Sequence, residues 1–310
     1  VSAFAPATVS NVGCGFDVMG FAIDGLGDDV TVSFSEEPGV RISVQTNHGS
    51  ALPLDPAHNT AGPPVMGLLA AAKSKRGIDV RITKGFAAGS GLGSSAASAV
   101  AAAAACNVLL GINLPPHELL PFAMDGEAAA SGAVHADNVG PSLLGGFTIV
   151  RSYAPLDVVR VTPPGDLWCA IILPKQEIST RASRGLLPSS IPLHGVVTQV
   201  GNAAGLVAGL LSGDYALIGR CLHDVIAEPV RAHMITGFAS MREAALEAGA
   251  LGCSISGSGP ALFALCRGES SCRRTADAMR KALDPHTVGS STYASRIRPH
   301  GAVITAQERR

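Results

Sequence analysis

Residues 85–105 read GFAAGSGLGSSAASAVAAAAA, a stretch nearly bare of side chains running into nearly pure helix former. Glycine accepts positive φ and lets another group approach the backbone, while alanine has the best intrinsic helix propensity. Loop followed by helix leaves an open helix N-terminus, whose unpaired N–H groups and positive macrodipole end suit a phosphate. The plainer alternative is a tight turn before an Ala-rich helix packed on a neighbour. A P-loop needs G-x-x-x-x-G-K-[ST], but only Ser94 and Ser95 follow the glycines here, with no Lys. Gly91-Leu-Gly93-Ser-Ser-Ala96 fits G-x-G-x-x-A, yet a dinucleotide fold then needs a second parallel strand and an acidic residue about 20 positions on. Here the Ala helix runs into GINLPP, with Glu118 beyond two prolines, which argues against hydride chemistry. What remains is a cradle of backbone donors over Gly89, Ser90, Gly91, Leu92, Gly93, Ser94, Ser95 and Ala96. With no lysine after the glycines, charge neutralisation falls mainly to a divalent cation. Ser95 can supply it an oxygen, or simply act as an N-cap.

The elements that must hold this loop follow from periodicity. VTVSFS at 30–35 and VRISV at 40–44, separated by Glu-Glu-Pro-Gly, predict a hairpin. A helix is predicted over 64–76, where Val65, Leu68, Leu69 and Ala72 share a face, then a strand over 79–84 entering the loop. After Pro115-Pro116 a helix follows, kinked or delayed by Pro121. GFTIVR at 146–151 and WCAIILP at 168–174 read as strands, and a domain boundary is placed between them near Tyr153. The second half predicts helices over 194–211, 215–225, 236–247 and 271–283, a strand, loop and strand over 251–266, and a terminal strand. Strands and helices interleaved without a long βαβ series indicate an α+β protein of two domains, 1–152 and 153–310.

At 47% hydrophobic and 15% charged the chain has the composition of a compact protein. Net charge −1, with no basic run interleaved with aromatics, makes nucleic acid an unexpected partner. The seven cysteines form no C-x-x-C pair, and an odd number without a signal peptide predicts a reducing compartment rather than a disulfide framework. The expected location is the cytoplasm, or an organellar stroma if the N-terminus is a processed end. The apolar run from Ala96 to Ile112 is mostly Ala, interrupted by Ser98 and Asn107, and predicts a buried helix rather than a membrane span.

GLGSSAA resembles the phosphate loop of the GHMP kinases, the family of galacto-, homoserine, mevalonate and phosphomevalonate kinases. Two further motifs of that family stand in the right order, PATVSNVGCGFDVMG at 6–20 and LGCSISGSGPALFAL at 251–265. P-A-T-x-x-N-x-G-x-G-F-D, HADNVGPSLLGG at 135–146 and EPVR at 228–231 are similar to the homoserine-directed branch. The resemblance implies the two-domain GHMP kinase fold, with the phosphate loop in the N-terminal domain, a ferredoxin-like C-terminal domain and the active site between them. It also implies ATP as donor, Mg²⁺ as cofactor, the side-chain hydroxyl of L-homoserine as acceptor on the way to threonine, and a homodimer. The alternatives are a GHMP kinase with another acceptor, such as mevalonate, and a non-catalytic nucleotide-binding homologue.

A hydroxylated amino acid needs an anion for its ammonium, a cation for its carboxylate and a clear line from hydroxyl to γ-phosphate. By resemblance Asp17 is the ammonium partner with Asn11 beside it, although an Asp ending a Gly-rich turn also fits a turn-stabilising role. Arg184 and Arg231 match the family's substrate arginines, a residue type suited to carboxylates by its fixed fork of donors. His135 and Asn138 match the lining of the acceptor pocket. Glu127, among Gly126 and three alanines, reads as a buried carboxylate in need of a partner. The resemblance makes that partner magnesium, with Ser95 as second protein ligand. No carboxylate matches a general base; Thr180 and Arg184 complete the catalytic set, Thr180 in an orienting role only. Phosphoryl transfer tolerates this, because positioning and charge stabilisation supply most of the acceleration. Cys14 replaces the Pro common between the two glycines of the first motif; it reads as an inert filler or as a reactive thiol at the acceptor pocket.

Overall fold

The computed structural model describes residues 1–47, 51–131, 135–286 and 288–307. The first sheet contains β1 (Ser2–Ser10), β2 (Met19–Ser35), β3 (Val40–Gln45), β4 (Gly77–Thr83), β5 (Phe147–Tyr153) and β6 (Leu156–Val161). Its seventh strand, β11 (Val303–Ala306), comes from the end of the chain and pairs antiparallel with β1. Helices α1 (Gly62–Ala71), α2 (Ser94–Leu109), α3 (Pro116–Ser131) and α4 (Ala136–Leu144) pack with one another, and α2 and α4 contact β1 and β2. Ala96, Val100 and Ala103 of α2 are fully buried in this layer with Val30, Ile78 and Leu68. Small side chains let the helix lie close on the sheet, which is what an Ala-rich sequence permits.

The second sheet, β10–β7–β9–β8, is antiparallel throughout, from β7 (Leu167–Pro174), β8 (Gly252–Ile255), β9 (Leu262–Arg267) and β10 (Ser290–Arg296). Its alternation sorts side chains to two faces. Ile171, Phe263 and Leu265 join Leu206 and Ile218, from α6 (Leu193–Ser212) and α7 (Tyr215–Cys221), in a core that also includes Phe21 and Phe147 of the first sheet. Ile172, Leu262 and Ala264 face Met241 and Met279, from α9 (Phe238–Glu247) and α10 (Glu269–Leu283). The shorter α5 (Thr180–Gly185) and α8 (Glu228–Arg231) belong to the second half of the chain. The α+β class and two-part architecture agree with the sequence reading. β6 lies beyond the expected boundary near Tyr153 and pairs with β5 in the first sheet.

The predicted hairpin is not formed. β4 lies between β2 and β3, antiparallel to the former (Val30↔Ile82) and parallel to the latter (Ile42↔Val80). The unit β3–α1–β4 is a parallel crossover, and the buried Ile78, Val80 and Ile82 give β4 the apolar content of a central strand. Turn chemistry at 36–39 ends β2 without deciding which strand it meets. α3 runs through Pro121 unbroken, since the carbonyl left without its N–H donor belongs to the exposed His117. The Ala-rich α2 is buried, as expected. α6 is long and apolar enough by length and composition to cross a membrane, yet it packs along α7 with Leu206, Gly209 and Leu210 buried.

Candidate active site

A cleft of about 500 Å³ opens between the two halves. One wall is the glycine loop. Gly91 and Gly93 take φ of 81° and 69°, and neither position has room for a side chain. A Cβ on Gly91 would stand 2.6 Å from the Ser256 carbonyl oxygen, and one on Gly93 would stand 2.2 Å from Thr8 Oγ1. The loop is thus clamped on both sides. Thr8 N–H donates to the Leu92 carbonyl (3.0 Å), and Ser256 Oγ donates to the Gly91 carbonyl (2.6 Å). Gly93 occupies the N-cap of α2 with no side-chain cap, so the first-turn N–H groups are left to a ligand. Ser94 Oγ is buried with no hydrogen-bond partner in the protein. Leu92 and Ala96 turn their side chains into the core and contribute backbone only. Gly89, Ser90, Gly91, Gly93, Ser94 and Ser95 line the cleft.

Lysine is not missing after all. Lys84, at the end of β4, lines the cleft just before the glycines instead of after them. Its buried ammonium pairs with Asp28 and also donates to the Ser94 carbonyl (2.9 Å) and Ser98 Oγ (3.1 Å), tying the strand to the first two turns of α2. Burial pushes its pKa down, opposed by Asp28.

The other wall gathers every expected acceptor residue. Asn11 (φ 66°) and Asp17 (φ 54°) hold left-handed turns in the first motif. The Asn11 side chain spans it, accepting from Asp17 N–H (3.0 Å) and donating to the Gly257 carbonyl (2.8 Å). Asp17 Oδ2 accepts from Arg184 Nη2 (2.6 Å), so this carboxylate already holds a cation. Arg184 Nη1 also points at His135 Nε2 (3.1 Å), and His135 Nδ1 lies 3.4 Å from Glu127 Oε1. A continuous chain, Asp17–Arg184–His135–Glu127, therefore crosses the cleft floor. Burial lowers the His135 pKa, but Glu127, Asp137 and Asp17 together raise it further. Arg184 can only donate, so a hydrogen bond at Nε2 needs the neutral ring, whereas the raised pKa favours the imidazolium; in either form Nδ1–H faces Glu127.

Asn138, in the first turn of α4, accepts from Thr8 Oγ1 (2.8 Å) and donates to Ser10 Oγ (3.0 Å), which fixes it against Gly93. Thr180 begins α5 and lies 3.3 Å from Ser258 Oγ. Arg231, at the end of α8, is buried, donates to the Gly257 carbonyl (3.2 Å) and stacks 5.2 Å from the Phe16 ring. Its Nε has no hydrogen-bond partner. In the same EPVR segment Glu228 turns inward to Arg242 (2.8 Å).

Sequence reasoning missed Lys84, Asp28 and Asp137. Asp137 lies inside the HADN stretch yet passed unremarked; it lines the cleft, 1% exposed, with burial and the Asp17 charge raising its pKa to about 7. Cys14 is buried, does not line the cleft, and its thiol is pushed up to about 12 by burial. The inert-filler reading is the one this placement favours. All seven cysteines are buried, so a thiol reagent is expected to leave the folded enzyme active and Cys14 unmodified by mass mapping. Loss of activity that tracks modification of Cys14 overturns this.

The residues fit a divalent cation by donor chemistry. Glu127 and the Ser94 and Ser95 hydroxyls offer hard oxygens beside the phosphate cradle. Among the described residues no group of three or more His, Cys, Asp or Glu converges as a self-sufficient metal site. A cation here would take few protein ligands and share its sphere with phosphate and water, as Mg²⁺ does.

A glycine cradle on an open helix end, facing a charged acceptor wall across two α+β halves, defines the phosphotransferase class to which the chain belongs: it is a member of the GHMP kinase family. Models of the GHMP kinases N terminal domain and of the GHMP kinases C terminal domain match residues 64–146 and 206–284. Within that family, homoserine kinases match it over nearly its whole length. That of Chlorobium phaeobacteroides is 46% identical over 98% of this chain and 99% of its own. That of Chloroherpeton thalassium is 47% identical over 91% and 92%. The crystal structure of homoserine kinase from Cytophaga hutchinsonii superimposes with a TM-score of 0.95 at 48% identity, covering 98% of this chain and 96% of that one.

Proposed function

We propose that this chain transfers the γ-phosphoryl group of ATP to the side-chain hydroxyl of L-homoserine, giving O-phospho-L-homoserine, a step toward threonine. The observation that carries this is the composition of the acceptor wall: two carboxylates, Asp17 and Asp137, and two guanidinium groups, Arg184 and Arg231, line one cleft beside the phosphate cradle. Such a wall matches a zwitterion better than a sugar or mevalonate, which carry no ammonium. Arg231 Nε, buried and lacking a partner, receives the acceptor's carboxylate with help from Arg184. Asp17 faces the ammonium. Asn138, held against Gly93, and Thr180 orient the hydroxyl toward the phosphoryl group.

Glu127 and Ser95 would hold Mg²⁺ together with the nucleotide, and the ion would supply charge neutralisation at the transferring phosphoryl group. The chain's own part is to cradle phosphate oxygens on the Gly89–Ala96 backbone, align the hydroxyl and exclude water between the two halves. In this reading transfer proceeds by positioning and charge stabilisation. A cytoplasmic homodimer, with neither nucleic acid nor membrane as partner, completes the proposal, and sedimentation tests the assembly.

ADP release is expected to rise with homoserine far more than with mevalonate or galactose. Asp17→Asn is expected to raise the KM for homoserine roughly ten- to hundredfold, since charge-assisted bonds contribute about 1.5–3 kcal/mol. An Asp17→Asn enzyme that saturates with homoserine like the wild type removes Asp17 from the acceptor site; equal stimulation by mevalonate overturns the acceptor assignment itself.

A further inference from the structure

The inner face of α6 is apolar except at one position. Leu206, Gly209 and Leu210 are buried there together with Gln199, and the helix carries no Asp, Glu, Lys or Arg. A buried amide costs stability unless its bonds are made, so a leucine would be the simpler way to fill the space. Gln199 makes its bonds on two segments outside its own helix. Nε2 donates to the Cys14 carbonyl (2.8 Å) and to Asp224 Oδ1 (2.9 Å), and Oε1 accepts from Val225 N–H (3.0 Å). Both ends of the amide are engaged, which leaves the side chain a single orientation.

Asp224 carries that orientation on. Its buried carboxylate accepts, besides Gln199, the N–H groups of Ile226 (2.8 Å), Ala227 (3.0 Å) and Glu228 (2.7 Å), gathering the segment that opens α8. α8 has four residues, too few to hold a direction by its own hydrogen bonds, so its approach is set by what grips its start. Arg231 is its last residue, and the Arg231 N–H donates to the carbonyl of the same Ala227 (3.0 Å). Asp224 and Arg231 also line a cavity of about 10 Å³, room for no more than about one water molecule, so there is little slack between the cap and the arginine. The place of Arg231 in the cleft is therefore the end of a relay that begins on α6.

From this relay we infer that Gln199 and Asp224 are positioning residues for the transfer reaction: neither lines the cleft, and together they fix where Arg231 presents its guanidinium. The inference rests on the reading of Arg231 given above and adds to it what holds that arginine in place. Its consequence is selective. Breaking the relay lets Arg231 drift, so a ligand that carries a carboxylate binds less well, whereas a ligand without one is indifferent. The bond from Gln199 to the Cys14 carbonyl has a different signature, because a loosened turn there weakens both ligands alike. One comparison therefore tells the two ends of the amide apart.

The test measures, at saturating ATP, the homoserine KM and the inhibition constant of 3-amino-1-propanol, the same molecule without its carboxylate, for the wild type and Gln199→Leu. The substitution is expected to raise the homoserine KM roughly tenfold, the scale of one misaligned charge-assisted bond, and to leave the 3-amino-1-propanol constant and the ATP KM unchanged. A variant that raises both acceptor constants together shows a merely structural role and overturns the proposal, as does an unchanged homoserine KM. In an Arg231→Lys background Gln199→Leu is expected to add less than about twofold, because its effect passes through the arginine; a full effect there overturns the relay. Asp224→Asn, which keeps the size of the cap, is read by the same two constants and decided by the same outcomes if the leucine variant folds poorly. A wild type that phosphorylates no homoserine, or an Arg231→Lys enzyme with the wild-type homoserine KM, overturns the underlying reading instead, and neither outcome resembles those above.

Discussion

Lys84→Met is expected to destabilise the enzyme by about 3–5 kcal/mol, the range for breaking one side of a buried ion pair. The Lys84 and Asp28 side chains are 3% and 0% exposed, so removing the ammonium leaves a carboxylate that solvent cannot reach. The methionine also abandons the Ser94 carbonyl and the Ser98 hydroxyl, both in the first two turns of α2. Denaturant unfolding should show the midpoint fall with little change in slope. The double variant Lys84→Met/Asp28→Leu should recover much of the loss, because a buried pair replaced as a whole by apolar groups is often neutral. A single variant as stable as the wild type contradicts the buried pair. Nucleotide affinity in the double variant then reports separately on how far the lysine also serves the phosphate cradle.

Glu127→Gln carries the second large effect. The substitution keeps the side chain's shape, and the amide oxygen can still accept from His135 Nδ1–H, so the fold should persist. What is lost is one negative charge at the proposed cation site. Turnover is expected to fall about a hundredfold, comparable to removing a preorganised electrostatic contact at the reacting centre. Calorimetric titration of ADP with and without Mg²⁺ should show that the metal's contribution to nucleotide binding shrinks in the variant. If activity survives a full magnesium titration unchanged, Glu127 is a structural partner of His135 and the cation lies elsewhere.

Two kinds of information decided what could be read from the chain alone. The phosphate cradle was legible because local composition dictates it: glycines take backbone angles closed to other residues, and alanines form the helix behind them. Strand partnership was not, because turn residues at 36–39 fix where β2 ends and not that β4 will enter between β2 and β3. The same division runs through the site. His135, Asn138 and Arg231 sit in recognisable short motifs, and the cleft gathers all three. Lys84 and Asp28 are 56 positions apart and become partners only when β2 and β4 pair. Asp137 stood next to recognised residues, but its meaning comes from burial against Gly20 and the lack of a partner, and both arise in three dimensions.

The return of β11 to the first sheet fastens the two halves together at a second point. The chain crosses between them twice, leaving the first sheet after β6 and coming back before β11. The two crossings meet at neighbouring positions: Val161 pairs with Phe147, while the Arg298 carbonyl accepts from Gly146 N–H. Gly145 and Gly146, both with φ near 70°, sit where the two crossings meet, and a Cβ on Gly145 would stand 2.4 Å from the His300 backbone. Because Phe21 and Phe147 share one buried core with Ile171, Phe263 and Leu265, the cradle and the acceptor wall stand on a continuously packed body and keep their register across the cleft.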